Sequence, residues 1–231
     1  MTKSDYLEYG PWPTEETMLV RLKESASITL KIMHSLKKGQ EEVVLSSIVN
    51  PPLWEFGHLI WFHEFWVHRR GIVSNPSFLK HADTLFNSSQ IHHDERWQVK
   101  LPSLALLQNY FADVFDQTYA VLKSGSVSPE QAYYILLALH HQDMHNEAFA
   151  YMWQSLAYPW PIGRKREVHS SQADHSQRAY IDMPATKILL GSPKNSGFIF
   201  DNEKWQHEVS IPAFSIASHA VSNIQYVRFL D

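Results

Sequence analysis

In the stretch His141-Gln142-Asp143-Met144-His145-Asn146-Glu147, two histidines stand four residues apart. On a helix that spacing puts them on one face, about 5–6 Å apart at Cβ, so both imidazoles can reach one metal ion. The spacing alone is uninformative, because 14 histidines among 231 residues give roughly 0.8 such pairs by chance. Their neighbours are more telling. Both share a stripe with Tyr134, Leu137, Ala148 and Met152, and burying an imidazole without a partner is costly. A second stripe of Trp54, His58, Trp61 and Phe65 has a histidine in its middle. Two inward histidines on one helix and a third on another suit an ion held in the core of a helical bundle. The competing reading is three hydrogen-bonded core histidines.

With no cysteine in the chain, soft thiolate sites are impossible, and imidazole ligands leave Zn, Fe, Ni, Cu or Mn open. Three protein ligands leave coordination positions free, the mark of a catalytic rather than a structural site. His63 and His68 sit off the stripe and read as solvated or as supporting groups. His140 faces away from His141. His92-His93-Asp94-Glu95 reads as a solvated polar cluster. Glu147, two residues past His145, cannot share its face and reads either as a supporting group that orients a ligand or as a bystander.

The elements that must position these residues are mostly helical from 14 to 156. Thr14 caps the first helix ahead of Glu15 and Glu16, Leu19, Leu22, Ala26, Leu30 and Met33 mark its inner face, and Gly39 ends it. Asn50-Pro51 starts a second, aromatic-rich helix reaching Gly71. Residues 72–100 show no periodicity, long for a connection inside a compact domain. A third helix runs from Ser103 to Lys123, and Ser128-Pro129-Glu130 opens the fourth. Beyond Leu156 come Pro159-Trp160-Pro161, the basic run Arg164-Lys165-Arg166 and a Ser/His/Gln-rich linker. Lys187–Leu190, Glu208–Ile211 and Phe214–Ala217 then read as short strands. The fold class is therefore α+β. Its segments are an up-and-down four-helix bundle over 1–156, a linker over 157–179 and the start of a second domain over 180–231.

Composition narrows the function. Lys+Arg 20 against Asp+Glu 24 gives a net charge of -4, which supplies no basic field for nucleic acid. The N-terminus lacks the apolar core of a signal peptide, and no apolar run is long enough to cross a bilayer. The sequence predicts a soluble, cytoplasmic protein with neither nucleic acid nor membrane as partner.

Several motifs, in order, resemble a known family. Trp54-Glu55-Phe56-Gly57-His58 with Trp61-Phe62-His63-Glu64, then Leu85-Phe86-Asn87-Ser88, then His141–Glu147, resemble a DinB-like bundle. Met183-Pro184, Leu190-Gly191-Ser192, Phe200-Asp201-Asn202-Glu203, His207-Glu208-Val209 and Val221-Ser222-Asn223 resemble the opening of a formylglycine-generating-enzyme-like (sulfatase-modifying-factor, C-type-lectin-like) domain. That order is similar to the sulfoxide synthases of ergothioneine biosynthesis and their ovothiol and selenoneine relatives.

The resemblance implies an iron(II) site at His58, His141 and His145, and an O₂-dependent oxidoreductase joining a histidine betaine to a thiol or selenium donor. It also implies that the second domain is truncated, that the catalytic residues lie in the missing C-terminal part, and that the fragment alone is inactive. Family members using γ-glutamylcysteine carry arginines after Leu-Phe-Asn-Ser. Here only Arg96 is basic in Ser89–Trp97, making Arg96 the candidate substrate-binding residue and another donor plausible. The alternatives are a DinB-like metal-dependent thiol transferase, or a non-catalytic bundle.

Overall fold

A computed structural model describes residues 10–163 and 179–230. The chain divides into two compact units, residues 1–163 with 195–198, and residues 164–194 with 199–231. Helices and small antiparallel sheets together make an α+β protein. The basic run and the Ser/His/Gln-rich segment read as linker lie outside the described residues.

The first unit is built on α1 (Glu15–His34), α2 (Pro52–His63), α3 (Ala82–Phe86), α4 (Leu104–Lys123) and α5 (Pro129–Ser155). Three helices begin as their sequences dictate. The hydroxyls of Thr14, Ser103 and Ser128 accept backbone N–H groups three residues on, satisfying donors that a helix start leaves unpaired. In α5, Gln131 also reaches back to the Ser128 N–H, completing a capping box.

α1 packs against α4 and α5, and α2 packs against the same two helices. The ring order is thus α1, α4, α2, α5, which sets α1 diagonally from α2 and α4 diagonally from α5, while α2 and α4 are neighbours. A simple up-and-down bundle, expected from the sequence, would make both diagonal pairs neighbours. The cause lies in α2, where ten consecutive residues from Pro52 to Trp61 are buried. A helix apolar all round must be covered on every side, and the segment between α2 and α4 supplies part of that cover.

That segment is the main departure from the irregular stretch expected over 72–100. It contains α3 and a 3₁₀ turn at His93–Trp97, and it is pinned by buried polar groups near the end of α2. There the helix widens into a π-helical turn, Glu64–His68. Glu64, fully buried, accepts hydrogen bonds from Ser77 Oγ (2.7 Å), the Phe78 N–H (2.8 Å) and Tyr110 Oη. Arg69 donates to both oxygens of Asp83 at 2.8 Å, and Trp61 Nε1 donates to Asp83 Oδ1 at 2.8 Å. These bonds bring α3 down onto α2.

His63 is also buried, at 1% exposure, with Nε2 against Thr118 Oγ1 at 2.9 Å. The sequence placed it off the packed stripe, but the π-helical turn and α4 enclose it. Burial, then the charge of His68, brings its pKa from 6.5 to about 3. Between those values the unfolded chain takes up a proton that the folded chain refuses. Stability from this group is complete above about pH 6.5 and is lost toward pH 3, by about 1.4 kcal/mol per unit. Urea unfolding of the metal-free protein at pH 7 and pH 5 measures this. The stability drop should be smaller in His63→Leu, and an identical drop would refute the assignment.

In the second unit, β1 (Tyr180–Met183) pairs antiparallel with β4 (Phe214–Ala217), and β2 (Thr186–Leu190) pairs antiparallel with β3 (His207–Ile211). Tyr180 faces Ala217 in one pair, and Leu190 faces His207 in the other. β2, β3 and β4 fall where alternation and turn residues place them. β1 and the terminal helix α6 (Asn223–Leu230) were not read from the sequence.

Candidate metal centre

α2 and α5 lie side by side, and their facing sides carry the histidines. His58, His141 and His145 each offer a ring nitrogen, with the three nitrogens within 4.8 Å of one another. Among the described residues this is the one group of three or more His, Asp or Glu side chains so arranged. Ring centroids of His58 lie 5.3 Å from His141 and 5.1 Å from His145, and those of His141 and His145 lie 4.3 Å apart.

The outer nitrogens show which atoms point inward. His58 Nδ1 donates to the Phe86 carbonyl at 2.7 Å, and His145 Nδ1 donates to Glu55 Oε1 at 2.6 Å. An imidazole protonated at Nδ1 carries its lone pair at Nε2. His145 Nε2 then faces His141 Nε2 at 3.1 Å, so lone pairs converge on one spot. Buried nitrogens so arranged need a proton or a cation between them. Backbone carbonyls and carboxylates on the far nitrogen are the usual way of orienting metal-binding histidines.

The electrostatics favour neutral ligands. Burial, then the charge of His145, brings the His58 pKa to about 4. Burial, then the charges of His145 and His58, holds His141 well below the usual imidazole range. Both are unprotonated near neutral pH, as coordination requires. Burial pushes the Glu55 carboxyl up, but the hydrogen bond and charge of His145 and the amide of Asn50 outweigh it, leaving the group below its ordinary value. Glu55 is therefore a carboxylate although only 2% exposed.

Aromatic rings form the walls. Phe62 stacks on His141 at 3.6 Å between centroids, and Trp54 lies parallel to His58 at 5.0 Å. The donor set suits a divalent transition metal: three imidazoles, two with far nitrogens anchored, and no thiolate.

The other residues singled out by sequence are placed differently. Glu147 is exposed, and the carboxylate on a histidine is Glu55. Its signal was present in the sequence: Glu55 is the lone acidic residue in an apolar run and sits three residues before His58, hence on the same face. Arg96 lies beside the centre, its guanidinium 3.9 Å over the Trp54 ring. His140 lies tilted against Phe198, ring centroids 5.1 Å apart, and His93 Nε2 bonds the Ser46 carbonyl. The Phe86 carbonyl could not be foreseen, since it needs α3 folded onto α2.

Fold and site together define a helical unit with a three-histidine pocket, joined in one chain to a small β-rich unit. Compared with known proteins, the chain matches no family model. It is similar to the hercynine oxygenase of Mycolicibacterium smegmatis, 24% identical over 199 residues, covering 80% of this chain and 43% of that protein. It is also similar to the hercynine oxygenases of Mycolicibacterium thermoresistibile (22% over 187 residues, 80% and 41%) and Mycobacterium tuberculosis (24% over 190 residues, 80% and 43%). The chain spans about two-fifths of the length of the curated relatives it matches. Among the described residues, no helix is long and apolar enough to cross a membrane.

Proposed function

We propose that this chain carries the iron(II)-binding part of an O₂-dependent sulfoxide synthase of the ergothioneine–selenoneine type. Its substrates are hercynine, the betaine of histidine, and a thiol or selenium donor. The carrying observation is the convergence of His58, His141 and His145 with two tautomers fixed from outside, by the Phe86 carbonyl and by Glu55. The similarity to hercynine oxygenases supports the reaction class. On this reading the bundle over 1–156 is DinB-like, 157–179 is a linker, and 180–231 opens a formylglycine-generating-enzyme-like domain.

With a thiol, the overall balance is R′–H + RSH + O₂ → R′–S(O)–R + H₂O. The bound metal would supply dioxygen activation and a cation to which a thiolate can bind. The chain's own residues do the rest. Three uncharged imidazoles leave the ion its full positive charge, and Glu55 and Phe86 hold two of them in register. Trp54 and Phe62 exclude water from one side of each ring, which strengthens interactions within the pocket.

The test is metal content after anaerobic reconstitution, combined with oxygen uptake by the intact gene product. One iron per chain and O₂ consumption requiring both hercynine and a thiol or selenol are expected. Tight zinc or nickel binding with thiol transfer and no O₂ consumption would replace this reading with a DinB-like transferase.

A further inference from the structure

A cation stands at the head of an unbroken line of contacts ending at the metal centre. Arg96, in the 3₁₀ turn His93–Trp97, donates from Nη1 to Asn50 Oδ1 at 2.7 Å. Asn50 Nδ2 donates to Glu55 Oε2 at 2.5 Å, and Glu55 Oε1 accepts the Nδ1–H of His145 at 2.6 Å. The same guanidinium covers Trp54 at 3.9 Å, and that indole, whose Nε1 donates to the Leu85 carbonyl at 2.8 Å, lies parallel to the ring of His58. One arginine thus reaches His145 through a line of hydrogen bonds. The turn is itself fastened: His93 Nε2 meets the Ser46 carbonyl at 2.7 Å and Trp97 Nε1 donates to the Val43 carbonyl at 3.0 Å.

We propose that Arg96 and Asn50 are positioning residues of the metal centre, acting on His145 through Glu55. This rests on the reading of the three histidines as ligands. One face of this guanidinium is committed to Trp54 and Nη1 to Asn50, while Nε is enclosed without a hydrogen-bond partner.

The physics runs along the chain of bonds. Asn50 has one acceptor and one donor group, and both are in use. The arginine's charge polarises the amide, which makes Nδ2 a stronger donor to Glu55. In a low-dielectric interior such linked bonds reinforce one another. Glu55 is left with one oxygen anchored to Asn50 and the other directed at His145. Cutting the line at Asn50 frees the carboxylate to rotate and releases the imidazole it steers. Partners of this kind change metal affinity by about 10–100-fold when removed.

The experiment is titration of the metal-free protein with Co²⁺, followed by its d–d absorption and by calorimetry. It uses wild type, Asn50→Leu, Arg96→Gln and the double variant, with substrate KM measured in the intact enzyme. Each single variant should weaken Co²⁺ binding about tenfold and shift the d–d bands. The double variant should lose no more than the larger single loss, because both act through one line of bonds. Should Asn50→Leu fail to fold, Arg96→Gln at its half-buried position gives the same readout, and Arg96→Lys should recover only part of the affinity. Unchanged Co²⁺ affinity and spectrum with a raised KM would make Arg96 a substrate anchor and overturn the proposal, as would additive losses. Failure of wild type itself to take up Co²⁺ would instead overturn the metal-centre reading.

Discussion

Alanine at Gly57 is expected to unfold the centre from its outer side. A Cβ added there would stand 2.1 Å from Cε1 and 2.3 Å from Cζ of Phe86, well inside contact distance. The ring cannot retreat, because Phe86 is fully buried, and α3 is held to α2 by Asp83 with Arg69 and Trp61. Overpacking typically costs 1–3 kcal/mol and occasionally more, and with backbone held on both sides about 3 kcal/mol is expected. In a chain of this size that is a fall of roughly 10 °C in melting temperature. The residue that must move is the one whose carbonyl orients His58, so metal affinity should fall with stability. Gly57→Ala combined with Phe86→Leu makes room and should recover part of both. Unchanged melting and metal uptake in Gly57→Ala would show that α3 does not lie on α2 as described.

The second large effect separates two histidines with the same proposed role and different surroundings. His145 is 8% exposed and paired with Glu55, itself 2% exposed. Removing one partner of such a buried pair typically costs 3–5 kcal/mol, so His145→Ala should destabilise the metal-free protein by about that much. His141 is only half-buried, and its Nδ1 is enclosed without a partner. His141→Ala should therefore cost little beyond its stacking on Phe62, about 1 kcal/mol. As metal ligands the two are expected to be equivalent, each alanine weakening divalent-ion binding by at least about 100-fold, the upper end of what loss of a mere supporting residue costs. Adding Glu55→Gln to His145→Ala should restore stability and leave metal binding lost. Chemical unfolding of the metal-free variants alongside Zn²⁺ or Fe²⁺ titration reads both axes. Equal stability losses with unequal metal losses would contradict the arrangement.

Features within a single turn of chain were open to reading from sequence. Thr14, Ser103 and Ser128 announce helix starts through a hydroxyl three residues ahead of an N–H. His141 and His145 share a face because of helix pitch alone. What needed two elements at once stayed hidden. Glu55 reaches His145 across 90 residues, and the nearby acidic residue Glu147, chosen for its closeness in sequence, points to solvent instead. α3 escaped notice because five residues carry no periodicity, and its position is set by Asp83 and Glu64 on separate partners. The ring order of the helices was hidden for a similar reason, since apolar stripes show which face is inward but not which helix receives it. The π-helical turn left no mark in the pattern, and with it went the burial of His63.

The clasp between α2 and α5 has a consequence for a chain without a single cysteine. Glu55 and His145 close a loop of 90 residues, and an ion shared by His58 and His145 would fasten nearly the same loop more firmly. In the loop-entropy description, a covalent bridge over about 100 residues removes some 4.7 kcal/mol of freedom from the unfolded chain. Coordination at this centre would thus act as a reversible staple, fastened by metal supply rather than by oxidation, and effective in a reducing environment where a disulfide would open.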